Sequence, residues 1–117
     1  MRLPDKLEAD AEEELYRIQA EFCKGLAHPK RLQIISVLKG GEKSVNELSA
    51  ATGIAQANLS QHLTILRQLG ILAKRRDGLN IYYRIADERI VQACEIVKAT
   101  IRQRLHRTNR LLEITQQ

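Results

Sequence analysis

The stretch SVNELSAATGIAQANLSQHLTILRQL, residues 44–69, decides the fold. Its first four residues form a capping box, because Ser44 at a helix N-cap can accept a hydrogen bond from the backbone N–H of Glu47 while the Glu47 carboxylate bonds back. The short helix that starts there is predicted to end at Gly53. A second helix follows at once and runs to Leu69. Two helices joined by a short turn that contains glycine predict a helix-turn-helix over residues 44–69.

The second of these helices has an apolar face and a polar face without acids. Leucines at steps of four, three and three residues define the apolar face. Side chains on the remaining surface are candidates for DNA contact: Gln56, Ala57, Asn58, Ser60, Gln61, His62, Thr64, Arg67 and Gln68. Amides can pair with adenine edges and hydroxyls with bases or phosphates, whereas a carboxylate would repel the phosphates. This pattern is typical of a recognition helix in the major groove, and the solvent face of an ordinary bundle helix is the alternative.

Two of these candidates lie between the apolar and the polar face. Each residue of a helix is rotated by about 100° from the one before it. This rotation places Arg67 at the edge of the polar face, where it can contact a phosphate rather than a base. His62 is closer still to the apolar face. It is therefore either partly buried or directed at a phosphate.

A β-hairpin is predicted directly after this helix pair, over residues 71–86. Two short strand-like runs flank Asp77-Gly78-Leu79-Asn80, and an Asp-Gly pair between such runs is a strong hairpin signal. Its polar side chains are candidates for contact with phosphates or the minor groove: Lys74, Arg75, Arg76 and Asn80. Neutralised phosphates supply affinity that does not depend on sequence. We interpret the hairpin as a basic wing, and a charged edge that prevents strand aggregation is the alternative.

Apolar residues at helical spacing predict further helices on both sides of this central part. One lies within residues 1–27, a second starts at Pro29, and the last occupies residues 87–117. The predicted fold is mainly α: a single winged helix-turn-helix domain over residues 1–117, with about five helices and a two-stranded wing. The first and last helices carry apolar stripes that the DNA-binding part does not use. We expect them to form a homodimer interface, and a monomer with the last helix folded back is the alternative.

The net charge of +5 is unevenly distributed along the 117 residues. Residues 1–22 carry −4 and residues 23–84 carry +7. A basic middle predicts a polyanionic partner, while the acidic first helix could pack beside the basic last helix of a second copy. Aromatic residues make up only 3% of the chain, which argues against a single-strand binder that stacks bases. The expected partner is therefore double-stranded DNA.

The sequence gives no sign of a membrane protein or an enzyme. No apolar run approaches the ~20 residues that a membrane-spanning helix needs, and the acidic start lacks the apolar part of a signal peptide, so we expect a cytoplasmic protein. No Ser-His-Asp arrangement, buried carboxylate pair or glycine-rich phosphate loop is apparent. We therefore expect no catalytic activity.

The central part of the chain resembles the ArsR/SmtB family of small winged-helix repressors. The segments that carry the resemblance are HPKRL at residues 28–32, SVNEL at 44–48, LSQHLTILRQLGIL at 59–72 and YYRI at 82–85. Together they cover about residues 22–86. The resemblance implies a homodimeric repressor that binds a palindromic operator and releases it on sensing an inducer.

The sensing sites known in that family are largely missing. Its thiolate metal motif ELCxC reads here Glu47-Leu48-Ser49-Ala50-Ala51, without sulfur. The positions of its zinc-type site read Asp87, Arg89, Thr100 and Gln103. Only one of those four is a metal-ligand type. The paired cysteines of a redox branch align with Ser36 and Arg102. The comparison implies no metal site and no cofactor, and it leaves the inducer unknown.

Two cysteines remain as candidates for sensing, Cys23 late in the first helix and Cys94 early in the last. If those helices pack together in a dimer, the two thiols could be oxidised, persulfidated or bridged by a soft ion such as As(III). Inert thiols are the alternative, because Cys94 falls on an apolar stripe. Two other functions also stay open, an architectural DNA binder without sequence preference and a winged helix that binds a protein.

Overall fold

The computed structural model describes residues 5–106, which form five helices and a three-stranded antiparallel sheet. The elements are α1 (Lys6–Leu26), α2 (Pro29–Leu38), β1 (Lys43–Ser44), α3 (Val45–Thr52), α4 (Gln56–Gln68), β2 (Leu72–Asp77), β3 (Asn80–Ile85) and α5 (Glu88–His106). The predicted mainly-α winged helix-turn-helix is confirmed. Residues 1–4 and 107–117, the outer ends of the predicted dimerisation helices, lie outside the described residues.

The sheet has one strand more than the predicted two-stranded wing. Strand β1 pairs with β3, so that β3 lies in the centre of the order β1-β3-β2. A strand of two residues is too short to show an alternating pattern, which is why the sequence did not indicate it. Its effect is to anchor the wing to the segment immediately before α3.

Local sequence signals start the helices where expected. Asp5 caps α1 by accepting from the backbone N–H of Glu8 at 2.8 Å. Pro29 opens α2, and the Nδ1 atom of His28 caps that helix by accepting from the N–H of Lys30 at 3.1 Å. Both bonds of the predicted capping box are present at the start of α3. The boundaries of the DNA-binding part are therefore encoded locally.

The core lies between α2, α3, α4 and the sheet. Its buried members are Ile34, Ile35, Leu38, Leu48, Ile54, Leu59, Leu63, Leu66, Ile71, Leu72, Tyr83 and Val91. Helix α2 buries Ile34, Ile35 and Leu38, while Leu32 on the same helix is 44% exposed. α2 packs against α3, α4 and β3, so the buried surface of this helix is wider than a single stripe.

The turn of the wing is tighter than the four-residue segment suggested. Asp77 pairs with Asn80, which leaves only Gly78 and Leu79 as central residues. Gly78 has φ of 64°, as the first central position of a primed hairpin turn requires, and glycine adopts this φ without strain. The tip of the wing is thereby held in one conformation.

Among the helices of residues 5–106, none has both the length and the apolar composition needed to cross a membrane.

Candidate nucleic-acid interface

The turn between α3 and α4 is fixed by side-chain hydrogen bonds. Ser49 Oγ donates to the carbonyl oxygen of Ile54 at 2.7 Å, and the Ile54 N–H donates to Thr52 Oγ1 at 3.2 Å. Gly53 ends α3 with φ of 72°. Since these bonds satisfy the polar groups of the turn, the two helices keep one relative orientation.

Helix α4 buries one face and exposes the other, as predicted. Its leucines at 59, 63 and 66 are buried in the core. Seven of the predicted contact residues are exposed along the other side: Gln56, Ala57, Asn58, Ser60, Gln61, Arg67 and Gln68. Thr64 and His62 are partly buried. The helix therefore presents a polar surface without acids to solvent, as major-groove contact requires.

Some of these polar side chains already form hydrogen bonds within the subunit. The Gln56 amide donates to Asn46 Oδ1 in α3, and Thr64 Oγ1 donates to the carbonyl oxygen of Ser60 at 2.9 Å. Gln61 and Asn58 make no side-chain hydrogen bond to another residue in the described part of the chain. Gln61 thus keeps both its donor and its acceptor available for a base edge.

Arg75 in the wing is held by its own subunit. Its Nε atom lies 3.0 Å from both carboxylate oxygens of Glu42, and its Nη2 atom lies 2.7 Å from Glu42 Oε1. The guanidinium also stacks over the ring of Tyr82, 4.5 Å from the centroid. The hydrogen bond lowers the pKa of Glu42 and raises that of Arg75, so both stay charged. These contacts join β2 and β3 to the loop before β1.

Lys74 and Arg76 differ from Arg75 in having no ion pair within residues 5–106. Side chains alternate along a strand, so these two cations share the face of β2 opposite to Arg75. Asn80 on β3 is also exposed, but it pairs with Asp77 and therefore lies on the face of Arg75. The structure therefore brings two of the four predicted wing residues, Lys74 and Arg76, to one face of the wing, while Arg75 is bound to Glu42 on the other face.

Three contributors to this surface escaped the sequence analysis: Glu42, Asn46 and Tyr82. Glu42 is an isolated acid in a basic region, and its partner is 33 positions away. Asn46 lies two residues after the N-cap Ser44, and a single exposed amide there belongs to no periodic pattern. The one available hint was Tyr82, an aromatic residue on the return strand beside a run of cations.

The outer helices expose apolar surface. α1 has no buried residue, and Leu15 and Ile18 of its predicted stripe are exposed, Ile18 at 57%. In α5 only Val91 is buried, while Ile96, Val97 and Ile101 are exposed, the last at 50%. Apolar side chains on neighbouring turns of a helix form a contiguous patch, which is typical of a surface covered by a partner.

The two cysteines have different surroundings. Cys23 is exposed and Cys94 is partly buried, and neither forms a disulfide. Burial, aided by the negative charge of Glu95, raises the pKa of the Cys94 thiol. Within residues 5–106, no group of three or more His, Cys, Asp or Glu residues is arranged to hold a metal ion.

Comparison with known proteins decides the family. Residues 28–74 match the model of the arsR family of bacterial regulatory proteins. An uncharacterized HTH-type transcriptional regulator of Mycobacterium tuberculosis, Rv0081, is 41% identical over 90 residues, which cover 76% of this chain and 79% of that protein. This chain belongs to the arsR family. The resemblance found in the sequence is thereby confirmed, and the family consists of transcriptional regulators rather than enzymes.

Other known proteins are similar in sequence and in structure. The biofilm growth-associated repressor of Agrobacterium fabrum is 43% identical over 80 residues, 68% of each chain. The crystal structure of Rv0081 aligns with a TM-score of 0.73 at 38% identity, covering 80% of this chain and 95% of that one. A homodimeric winged helix-turn-helix DNA-binding domain from Mycobacterium bovis, solved by NMR, aligns with a TM-score of 0.71 at 30% identity, covering 92% and 95%.

Proposed function

We propose that this arsR-family protein is a repressor that binds a palindromic operator as a homodimer and releases it when an inducer binds. The observation that carries the proposal is the exposed, acid-free polar face of α4 beside a wing in which Lys74 and Arg76 have no ion pair with another of residues 5–106. Such a helix can read base edges in a major groove while the wing neutralises phosphates. The similarity to a named repressor of Agrobacterium fabrum supports the direction of regulation.

The homodimer part of the proposal rests on α1 and α5. Their apolar side chains are exposed among residues 5–106, and the similar domain of Mycobacterium bovis is a homodimer. The acidic α1 and the basic end of α5 add charge complementarity between two copies. Two-fold symmetry would place the two α4 helices about one DNA turn apart, roughly 34 Å, facing the half-sites of a palindrome.

The experiment that tests the proposal is a comparison of specific with non-specific binding. A duplex selected from a random-sequence pool and the same duplex with shuffled bases are titrated with the protein at several salt concentrations. We expect the selected duplex to bind at least about 1,000-fold more tightly at physiological salt. An affinity ratio near one would contradict the repressor and favour an architectural DNA binder.

Within the wing, we assign phosphate contact to Arg76 and Lys74 and a positioning role to Arg75. Arg76→Ala is expected to weaken binding to every duplex and to reduce the slope of log affinity against log salt by about 1, because one fewer phosphate is neutralised. Arg75→Ala is the matched control on the same strand. It should leave the slope nearly unchanged, because its guanidinium is bound to Glu42.

Fluorescence anisotropy titrations from low to physiological salt measure both slopes. A reduction of the slope by Arg75→Ala as large as that by Arg76→Ala would show that Arg75 contacts phosphate directly. If neither variant changes the slope while the parent binds DNA, the wing does not contact phosphate. Binding of a protein partner that survives both changes would favour the protein-interaction function instead.

We expect Cys23 to react faster than Cys94, because Cys23 is exposed and Cys94 is partly buried. The raised pKa of Cys94 leaves less of it as thiolate at neutral pH, and the thiolate is the reactive form. Alkylation by iodoacetamide should therefore be slower for Cys94 in Cys23→Ser than for Cys23 in Cys94→Ser at pH 7.5. The Cys94 rate should also need a higher pH to reach its plateau. Mass spectrometry of timed samples measures both rates, and equal rates would contradict this order.

A thiol switch and a soft-ion sensor both require that loss of either cysteine changes the response. Operator binding by the parent, Cys23→Ser and Cys94→Ser is measured with peroxide, polysulfide or As(III). Inducer release through these thiols predicts that the parent loses affinity and that both variants retain it. If both variants respond like the parent, the cysteines are inert.

A further inference from the structure

A hydrogen-bonded chain joins the end of α1 to the recognition helix α4. Arg31 Nη1 donates to the carbonyl oxygen of Gly25 at 2.6 Å, and Arg31 Nε donates to Nδ1 of His62 at 3.1 Å. The ring of His62 lies against that of His28, with 4.6 Å between centroids. The guanidinium of Arg31, a residue of α2, therefore connects the last turn of α1 with the middle of α4, and these two helices also contact each other.

The hydrogen bond from Arg31 to His62 can form only while His62 is neutral. Arginine has donors and no acceptor, so Nδ1 of His62 must be unprotonated to accept from Arg31. Burial is the main cause that lowers the pKa of His62, and the other causes are electrostatic interactions with His28, Arg31 and Lys30. α3 and β2, which also pack against α4, place no carboxylate among the groups acting on it. Protonation of Nδ1 would abolish this hydrogen bond and place a positive charge next to the guanidinium of Arg31.

We propose that Arg31 and His62 position the recognition helix relative to α1, and that protonation of His62 releases this contact and weakens operator binding. The inference rests on the proposed function, in which α1 contributes to the dimer interface and α4 reads the bases. A contact between these two helices then fixes the separation and tilt of the two recognition helices of a dimer. Half-site reading requires that geometry. His62 is thus a positioning residue rather than a phosphate ligand.

The direction of the pH dependence follows from the two states of His62. While His62 accepts from Arg31 its pKa is lowered, whereas a released ring that is exposed to solvent has a pKa shifted back towards the ordinary value of 6.5. Acidification below that value protonates the released form first and shifts the equilibrium towards it. A His62 that instead bound a phosphate would gain charge on acidification and would tighten binding. The sign of the effect therefore separates the two roles.

Operator affinity measured by anisotropy between pH 7.5 and pH 5.5, at constant salt, tests the inference. We expect the parent to bind up to about tenfold more weakly at pH 5.5. His62→Gln carries an amide that does not titrate and should lose this pH dependence, while the control His106→Gln, exposed on α5, should keep it. Tighter binding on acidification, or the same weakening in His62→Gln, would overturn the proposal.

A second measurement uses the free protein and needs no DNA. Arg31→Met keeps an unbranched stem but removes the charge and the donor, so the pKa of His62 followed by NMR should rise. The salt slope of DNA binding should stay unchanged, because Arg31 contacts Gly25 and His62 rather than phosphate. An unchanged His62 pKa in Arg31→Met would overturn the positioning role. A parent that shows no preference for any selected duplex at pH 7.5 would refute the proposed function, and the NMR titration would still decide on the Arg31–His62 contact.

Discussion

Replacing Ile18 by glutamate is expected to make the protein monomeric and to weaken operator binding by about 100-fold or more. Ile18 is 57% exposed and lies on the apolar stripe of α1, so the proposed dimer would bury it and a charge there would be desolvated without a partner. A monomer engages one half-site at a time and loses the gain from binding two linked sites. The fold of the subunit should be kept, because Ile18 is not part of its core.

Light scattering for the oligomeric state, thermal unfolding for the fold and anisotropy for operator affinity measure this outcome. Ala20→Glu is the matched control, since it adds the same charge to the exposed opposite face of α1. It should leave the dimer and the affinity close to those of the parent. Ile101→Glu tests α5 in the same way and should reproduce the effect of Ile18→Glu. A fully dimeric Ile18→Glu protein would place the interface elsewhere.

Replacing Gln61 by alanine is expected to cost about 1–3 kcal/mol of base discrimination, or about 5- to 150-fold in affinity for the selected duplex. Gln61 is exposed in the first half of α4, where recognition helices contact bases, and it has no side-chain hydrogen bond to another of the described residues. A glutamine amide can pair with an adenine edge through two hydrogen bonds. Alanine removes both and adds no repulsion.

The signature of this loss is a change in specificity at one position of the site. Gln61→Ala should bind the shuffled duplex as the parent does, with the same salt slope, because no charge is altered. At one base pair of the selected duplex, substitutions that weaken the parent should no longer weaken the variant. Gln92→Ala, an exposed glutamine of α5, is the control. An equal loss on selected and shuffled duplexes would assign Gln61 to phosphate contact.

Local sequence signals were sufficient for the frame of this domain. The capping box at Ser44, the turn at Gly53 and the spacing of leucines in α4 act over a few residues, and the structure places each as predicted. The hairpin around Gly78 is also local, because its conformation depends on the positive φ of one glycine. Such signals need no knowledge of tertiary contacts.

The contacts that organise the candidate site are not local. Arg75 meets Glu42 across the sheet, 33 positions away, and Arg31 meets His62 between two helices, 31 positions away. Neither pair follows a regular spacing in the sequence. Each pair also contains an arginine, and an arginine considered alone suggests contact with DNA. The sequence therefore predicts which surface is basic, while the packing decides which cations are available to a partner.

The spacing of the half-sites tests the central claim most directly. The selected duplex is compared with a version in which five extra base pairs separate its two halves, which rotates one half-site by about half a turn around the DNA axis. If two α4 helices of a rigid dimer read the site, the longer duplex should bind like shuffled DNA. Equal affinity for the two spacings would contradict a dimer that reads a palindrome through its paired recognition helices.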